Sequence, residues 1–182
     1  MSGASKSAVE YNSRMILSPQ QRRFASWFPE VCWSLTDQVC ILRPTGEFTS
    51  ETAALLVGWL SEVEGDIDEP FSRFTDLTQL KRIDIARLDL ANLAFWRRAT
   101  YLGPVVKSAF LAESEEGLTL ANDYKEFMKV SKIRVSVFNN LSDAAEWLGV
   151  PAVSLELSRK ELGKAGDDFT ENEPRQKPPG NR

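Results

Sequence analysis

The side chains that most enzymes use for acid–base or metal chemistry are scarce in this sequence, which has no histidine among its 182 residues. That composition removes the commonest general base, the commonest zinc ligand and every Ser-His or Cys-His nucleophile pair. Cys32 and Cys40 lack the tight spacing of a metal knuckle. The sequence also has no Gly-rich phosphate loop and no GxSxG, HExxH or EF-hand pattern. We therefore expect no catalytic residue, no cofactor and no metal site.

Paired carboxylates are the remaining route to acid–base catalysis. Asp76 and Asp84 form one such pair, and Glu115 and Glu116 form another. Acidic pairs in a sequence are usually solvated, and nothing in this spacing places the carboxylates in a shared cleft. We expect them to have structural roles.

The segment from Asp76 to Leu88 indicates binding instead. Its pattern predicts a strand end, a short loop with Lys81 and Arg82, and a helix that starts near Asp84. The exposed backbone N–H groups and the dipole of a helix start favour an anion. Asp84 acting as the N-cap would satisfy the same donors without a ligand. We favour the cap and keep the anion site as the alternative.

The helix after this segment carries several arginines. Arg87 and Arg98 share one face, near Arg97, and we expect this to be a solvated basic face. Arg97 also recurs at helical spacing with the apolar Leu90 and Ala94.

Hydrophobic periodicity predicts the elements that position these residues. Strands are expected at 31–35, 38–43, 71–77, 105–112 and 133–138, and helices at 18–27, 50–65, 86–101, 115–130 and 141–148. Thr49 or Ser50 is expected to cap the helix at 50–65, and Ser142 the last helix. A hairpin followed by alternating helices and strands predicts an α/β fold, a single domain whose mixed sheet of four to five strands has helices packed on it.

Composition divides the chain into four parts. We expect a flexible N-terminal tail over 1–17, a short helix over 18–28, the folded domain over 30–152 and a disordered charged tail over 159–182.

Charge and hydropathy limit the partners. Residues 30–158 carry 12 basic and 20 acidic residues, a net charge of −8, which argues against nucleic-acid binding. No apolar run approaches the length of a membrane span, and the N-terminus lacks the pattern of a secretory leader. We expect a soluble, cytoplasmic protein.

The hairpin loop determines how the cysteines face each other. A three- or five-residue loop would place Cys32 opposite Cys40, whereas a two-residue loop would pair Cys40 with Trp33. Both registers are open at this point, although we expect two reduced thiols.

Three stretches resemble one family. Residues 39–53, VCILRPTGEFTSETA, look like the opening strand and helix of a STAS domain, the fold of bacterial anti-sigma factor antagonists and of sulfate-transporter tails. Residues 76–88, DLTQLKRIDIARL, are similar to the family's D-L-S-x-x-x-x-I-D-S-S-G-L. The strand at 131–138 and the AAEWL of the last helix fit the family's closing elements. The resemblance covers about residues 31–150.

The resemblance implies a regulatory module that binds a protein partner, with a kinase-like anti-sigma factor as the candidate and a homodimer as a further arrangement. It places the partner-binding residues around the second motif: Asp76, Thr78, Lys81, Arg82, Asp84, Ile85, Ala86 and Arg87. The family's phosphorylated hydroxyl lies in D-S-S-G, where this chain has Asp84-Ile85-Ala86-Arg87. The phosphorylation switch therefore cannot operate there, and the chain resembles the divergent, unphosphorylated branch. Thr78 is the nearest substitute hydroxyl.

The aromatic content supports an alternative from a different class. Five tryptophans and ten phenylalanines in one small domain could line a site for a small apolar or lipid-like ligand between the sheet and the helices. Aromatic residues fill cores far more often than they line ligand sites. The interaction module is therefore the first hypothesis and the ligand binder the second.

Overall fold

The computed structural model describes residues 31–36, 39–66 and 69–156. Its elements are β1 (Val31–Thr36), β2 (Val39–Pro44), β3 (Gly46–Thr49), α1 (Ser50–Asp66), β4 (Ser72–Asp76), β5 (Leu80–Asp84), α2 (Arg87–Thr100), β6 (Val106–Leu111), α3 (Glu115–Phe127), β7 (Ile133–Phe138) and α4 (Leu141–Leu148). Residues 152–156 are also helical. The predictions for 1–17, 18–28 and 159–182 lie outside the described residues.

Five strands form the main sheet, in the order β1-β2-β4-β6-β7. β1 pairs antiparallel with β2, and β2, β4, β6 and β7 run parallel to one another. β4 is central, and its Phe74 is fully buried. The predicted α/β class with a mixed sheet is therefore confirmed, as is a strand at 71–77 covered on both faces.

Helices cover both faces of this sheet. α1, α2 and α3 pack on one face through Leu56, Leu60, Leu90, Ala94 and Leu120. α4 packs on the other face, and Leu155 joins it there with no exposed surface. Side chains alternate along a strand, so Phe74 of β4 points toward α4 while Arg73 and Thr75 face the three-helix side.

A second, two-stranded sheet was not predicted. β3 and β5 run parallel, with Phe48 beside Ile83 and Thr49 beside Asp84. Lys81 and Arg82 therefore lie on a strand, and the predicted short loop at these residues is wrong. β5 has too few apolar residues for an alternating pattern to be visible in the sequence. Its partner in the small sheet is the four-residue β3.

The hairpin has neither of the two expected registers. Thr36 pairs with Val39, so Cys40 lies opposite Leu35 and Cys32 lies opposite Arg43. Cys40 is a free, buried thiol, and burial raises its pKa to about 12.

Side chains at the helix starts satisfy backbone donors. Thr49 Oγ1 accepts a hydrogen bond from the Thr52 backbone N–H at 3.2 Å, which confirms one of the two predicted caps of α1. Asn140 caps α4 by accepting from the Asp143 N–H at 2.9 Å. The predicted cap, Ser142, is wrong because the helix begins at Leu141, so that Ser142 lies inside its first turn.

Candidate functional site

The predicted binding segment leaves the main sheet at the end of β4 and crosses to α2. The Leu77 carbonyl accepts the Leu80 N–H at 3.2 Å, which closes a tight turn into β5. Lys81 and Arg82 are exposed on β5, while Ile83 and Ile85, which follow them along the chain, are half-buried. This part of the candidate site is a continuous surface strip.

Asp76 ends β4 just before that strip, and 2% of its surface is exposed. Its carboxylate accepts hydrogen bonds from Arg43 Nε at 3.1 Å, from the Thr78 N–H at 3.0 Å and from the Thr78 hydroxyl at 2.6 Å. Arg43 also donates to the carbonyl of Leu155. Asp76 and Thr78 therefore hold the turn in place, and Asp76 does not reach the surface where a partner would lie.

The start of α2 differs from the prediction. The helix begins at Arg87 after Ala86, which makes no side-chain cap, so Asp84 is not the N-cap. Asp84 ends β5 and pairs with Arg82 at 2.9 Å. The carboxylate of Asp89 occupies the first turn and accepts from Ser50 Oγ at 2.7 Å. That carboxylate interacts favourably with the helix dipole, so the geometry gives no support to the alternative anion site.

A groove of about 440 Å³ runs between this strip and α3. Its floor is apolar and consists of Ile83, Ile85, Leu90 and Leu120. Its rim is charged and polar and comprises Arg87, Glu115, Glu116, Thr119 and Asp123. Arg87 bridges the groove, because its Nε contacts Asp123 Oδ2 at 3.0 Å and its guanidinium lies 5.1 Å from the Phe127 ring centre. Apolar floors with polar rims are typical of protein interfaces.

A second cluster, at the other end of α2, joins two buried arginines to one glutamate. Arg73 of β4 and Arg97 of α2 both contact the carboxylate of Glu64 on α1. Arg97 is 2% exposed, so the prediction of a solvated basic face is wrong for this residue. Its helical spacing with Leu90 and Ala94 was the signal that it faces inward. We call these three residues the arginine cluster.

Burial dominates the electrostatics of the arginine cluster. Desolvation, reinforced by the neighbouring Arg97, lowers the pKa of Arg73 to about 10. Burial also lowers the pKa of Arg97. The Tyr101 ring centre lies 5.3 Å from the Arg73 guanidinium carbon and 5.2 Å from that of Arg97, within the range of cation–π attraction. Ser61 Oγ accepts from Arg97 at 3.3 Å.

An apolar cavity of about 80 Å³ lies between the sheet and the three helices. Leucines and aromatic rings form most of its wall, and both arginines of the cluster contribute to it. The cavity lies where the ligand hypothesis expected a site. The cluster itself could not be predicted from the sequence, because Glu64, Arg73 and Arg97 come from three separate elements.

Within residues 31–36, 39–66 and 69–156, no group of three or more acidic or cysteine side chains could hold a metal ion. In that same part of the chain, no helix is long and apolar enough to span a membrane.

The chain is similar in fold to a solved structure of low sequence identity. No family model matches the chain, and no curated protein matches it. Among solved structures, it is similar to an uncharacterized DUF3478-family protein from Shewanella loihica PV-4, described as having a SpoIIAA-like fold. The TM-score is 0.44 at 16% identity, over 65% of this chain and 91% of that one. That description names the fold of anti-sigma factor antagonists.

Proposed function

We propose that this chain is a non-enzymatic regulatory module that binds a protein partner in the bacterial cytoplasm. The docking surface consists of β5, the start of α2 and the groove beside α3. The resemblance in sequence to anti-sigma factor antagonists makes a kinase-like anti-sigma factor the first candidate partner. Fold resemblance alone is a weak argument for function, so the surface itself must support the proposal.

The observation that supports the proposal is the groove between β5 and α3. Its apolar floor can accept apolar side chains from a partner, and its rim has charges of both signs to orient them. Glu115 and Glu116 are exposed at the rim, and Lys81 and Arg82 are exposed on β5, the strand that contributes Ile83 to the floor. A partner segment with apolar residues flanked by both basic and acidic residues fits this pattern.

Thr78 is a poor substitute for the family's phosphorylated serine. Its hydroxyl donates to Asp76 at 2.6 Å, so a phosphate added there would meet a buried carboxylate. The like charges would repel, and the turn that positions β5 would open. We infer that the chain binds its partner without phosphorylation control at this position.

An affinity capture from a lysate of the protein's own source tests the proposal. The full chain and a variant with Lys81→Ala, Arg82→Ala and Arg87→Ala are used side by side, and bound proteins are identified by mass spectrometry. We expect the full chain to retain a kinase-like regulator and the variant to lose it at least tenfold, because Arg87 lines the groove and Lys81 and Arg82 are exposed on the strand that contributes Ile83 to it.

A matched control removes three exposed cations from other surfaces, through Lys125→Ala, Lys129→Ala and Arg134→Ala. This control should capture the regulator as well as the unmodified chain does. Equal capture by both triple variants would contradict the assigned surface. Recovery of the bait without any other protein would contradict the regulatory proposal.

A further inference from the structure

The arginine cluster has one positive charge more than its carboxylate can balance. Glu64 is the one carboxylate paired with Arg73 or Arg97 among the residues that the structure describes. Arg73 is 3% exposed, and its Nε and Nη1 have no hydrogen-bond partner in that part of the chain. Arg43 also leaves Nη1 without a partner there, but Asp76 balances its charge one to one. Buried charges with unused donors are costly, and proteins keep few of them.

The cluster separates two empty spaces. Both arginines line the apolar cavity of about 80 Å³ and also an open cleft of about 290 Å³ between the ends of α1 and α2. The Tyr101 ring covers both guanidinium groups from the cleft side, and it packs so closely on Gly103 that a Cβ there would lie 2.8 Å from the ring. The two guanidinium groups therefore lie between the apolar cavity and this ring, at the wall of the cleft.

We propose that this site binds a short-chain alkyl carboxylate, with its carboxylate on Arg73 and its alkyl chain in the apolar cavity. A single negative charge completes the cluster, and the guanidinium donors that lack partners are suited to carboxylate oxygens. The leucine-rich wall accepts the alkyl chain. About 80 Å³ holds roughly three groups of the size of a methylene or a water molecule. This binding site is separate from the partner surface and does not depend on it.

Calorimetric titration of the full chain with a homologous series tests both parts of the ligand. From acetate through propanoate to butanoate, we expect the affinity to rise about threefold to fourfold per methylene, and then to level off at hexanoate. Butan-1-ol should bind at least tenfold more weakly than butanoate, because it leaves the cluster charge unbalanced. Butan-1-ol, acetate or inorganic phosphate binding as tightly as butanoate would overturn the proposal, as would no binding at any chain length.

The variant Arg73→Met tests the assigned residue. It should lose butanoate binding and keep or raise the melting temperature, because a buried cation with unused donors is replaced by an apolar side chain. The control Arg98→Met removes an exposed guanidinium beside the cluster and should leave the affinity unchanged. Full butanoate affinity in Arg73→Met would overturn the proposal. If that variant does not fold, the comparison of butanoate with butan-1-ol on the unmodified chain decides the question.

Discussion

Arg43, Arg73 and Arg97 share burial but differ in how their charges are balanced. Arg43 is matched by Asp76, which in turn is bonded twice by Thr78. The other two share the carboxylate of Glu64. A buried arginine with its own carboxylate fixes the local geometry. A buried arginine without a full counter-charge lowers stability, and a purely structural role does not explain it. By this contrast, Asp76 with Arg43 forms a positioning network at the end of β4, and Arg73 belongs to the proposed binding site at its start.

Removing the Asp76 charge should therefore destabilise the fold. We expect Asp76→Asn to lower the free energy of unfolding by about 3 kcal/mol, because Arg43 would remain buried without a counter-charge. Urea denaturation followed by tryptophan fluorescence measures this change. Asp84→Asn is the control, because Asp84 is exposed, and it should cost less than about 0.5 kcal/mol. Similar losses in both variants would contradict the positioning role of Asp76.

Elements with strong periodicity were predictable, and those stabilised only by their surroundings were not. The main strands and the helices α1 to α4 follow from apolar spacing, which reports burial directly. β5 could not be predicted because its two apolar residues, Leu80 and Ile83, do not alternate along the strand. Its partner β3 gave no separate signal either, because a single residue divides β3 from β2. Arg97 was correctly placed on the apolar side of its helix and yet was expected to be solvated. Its counter-charge, Glu64, lies 33 residues away, where spacing gives no information.

The end of α4 provides a prediction about an element boundary. Gly149 has φ +83°, the left-handed conformation that glycine adopts without strain. No atom lies within 4 Å of an added Cβ, so Gly149→Ala should cost about 1 kcal/mol from backbone strain alone. Gly58→Ala in α1 is matched to it, since that site is equally open but helical, and it should raise stability by about 0.5–1 kcal/mol. Thermal denaturation of both variants measures the difference, and shifts of the same sign would contradict the argument.

The molecule carries its two proposed binding sites at opposite ends of one helix. The groove lies at the start of α2, and the arginine cluster contains Arg97 from its last turn. Fourteen helical residues place these ends about 20 Å apart. The face of the sheet opposite α2 has neither site. That face is closed by α4 and by the residues that follow it, so its contribution is to stability.

Leu155 tests how much that closure contributes. Its side chain is fully buried against Ile41 and Phe74, and its carbonyl accepts a hydrogen bond from Arg43. Leu155→Ala keeps the carbonyl and removes only the packing, so we expect a loss of about 3 kcal/mol in the free energy of unfolding. Val153→Ala, two residues earlier and 52% exposed, should cost less than about 0.5 kcal/mol. Denaturant titration distinguishes the two variants. A loss below about 1 kcal/mol for Leu155→Ala would show that the sheet is stable without this cover, and that the last helical turn is an attachment to the fold instead of part of its core.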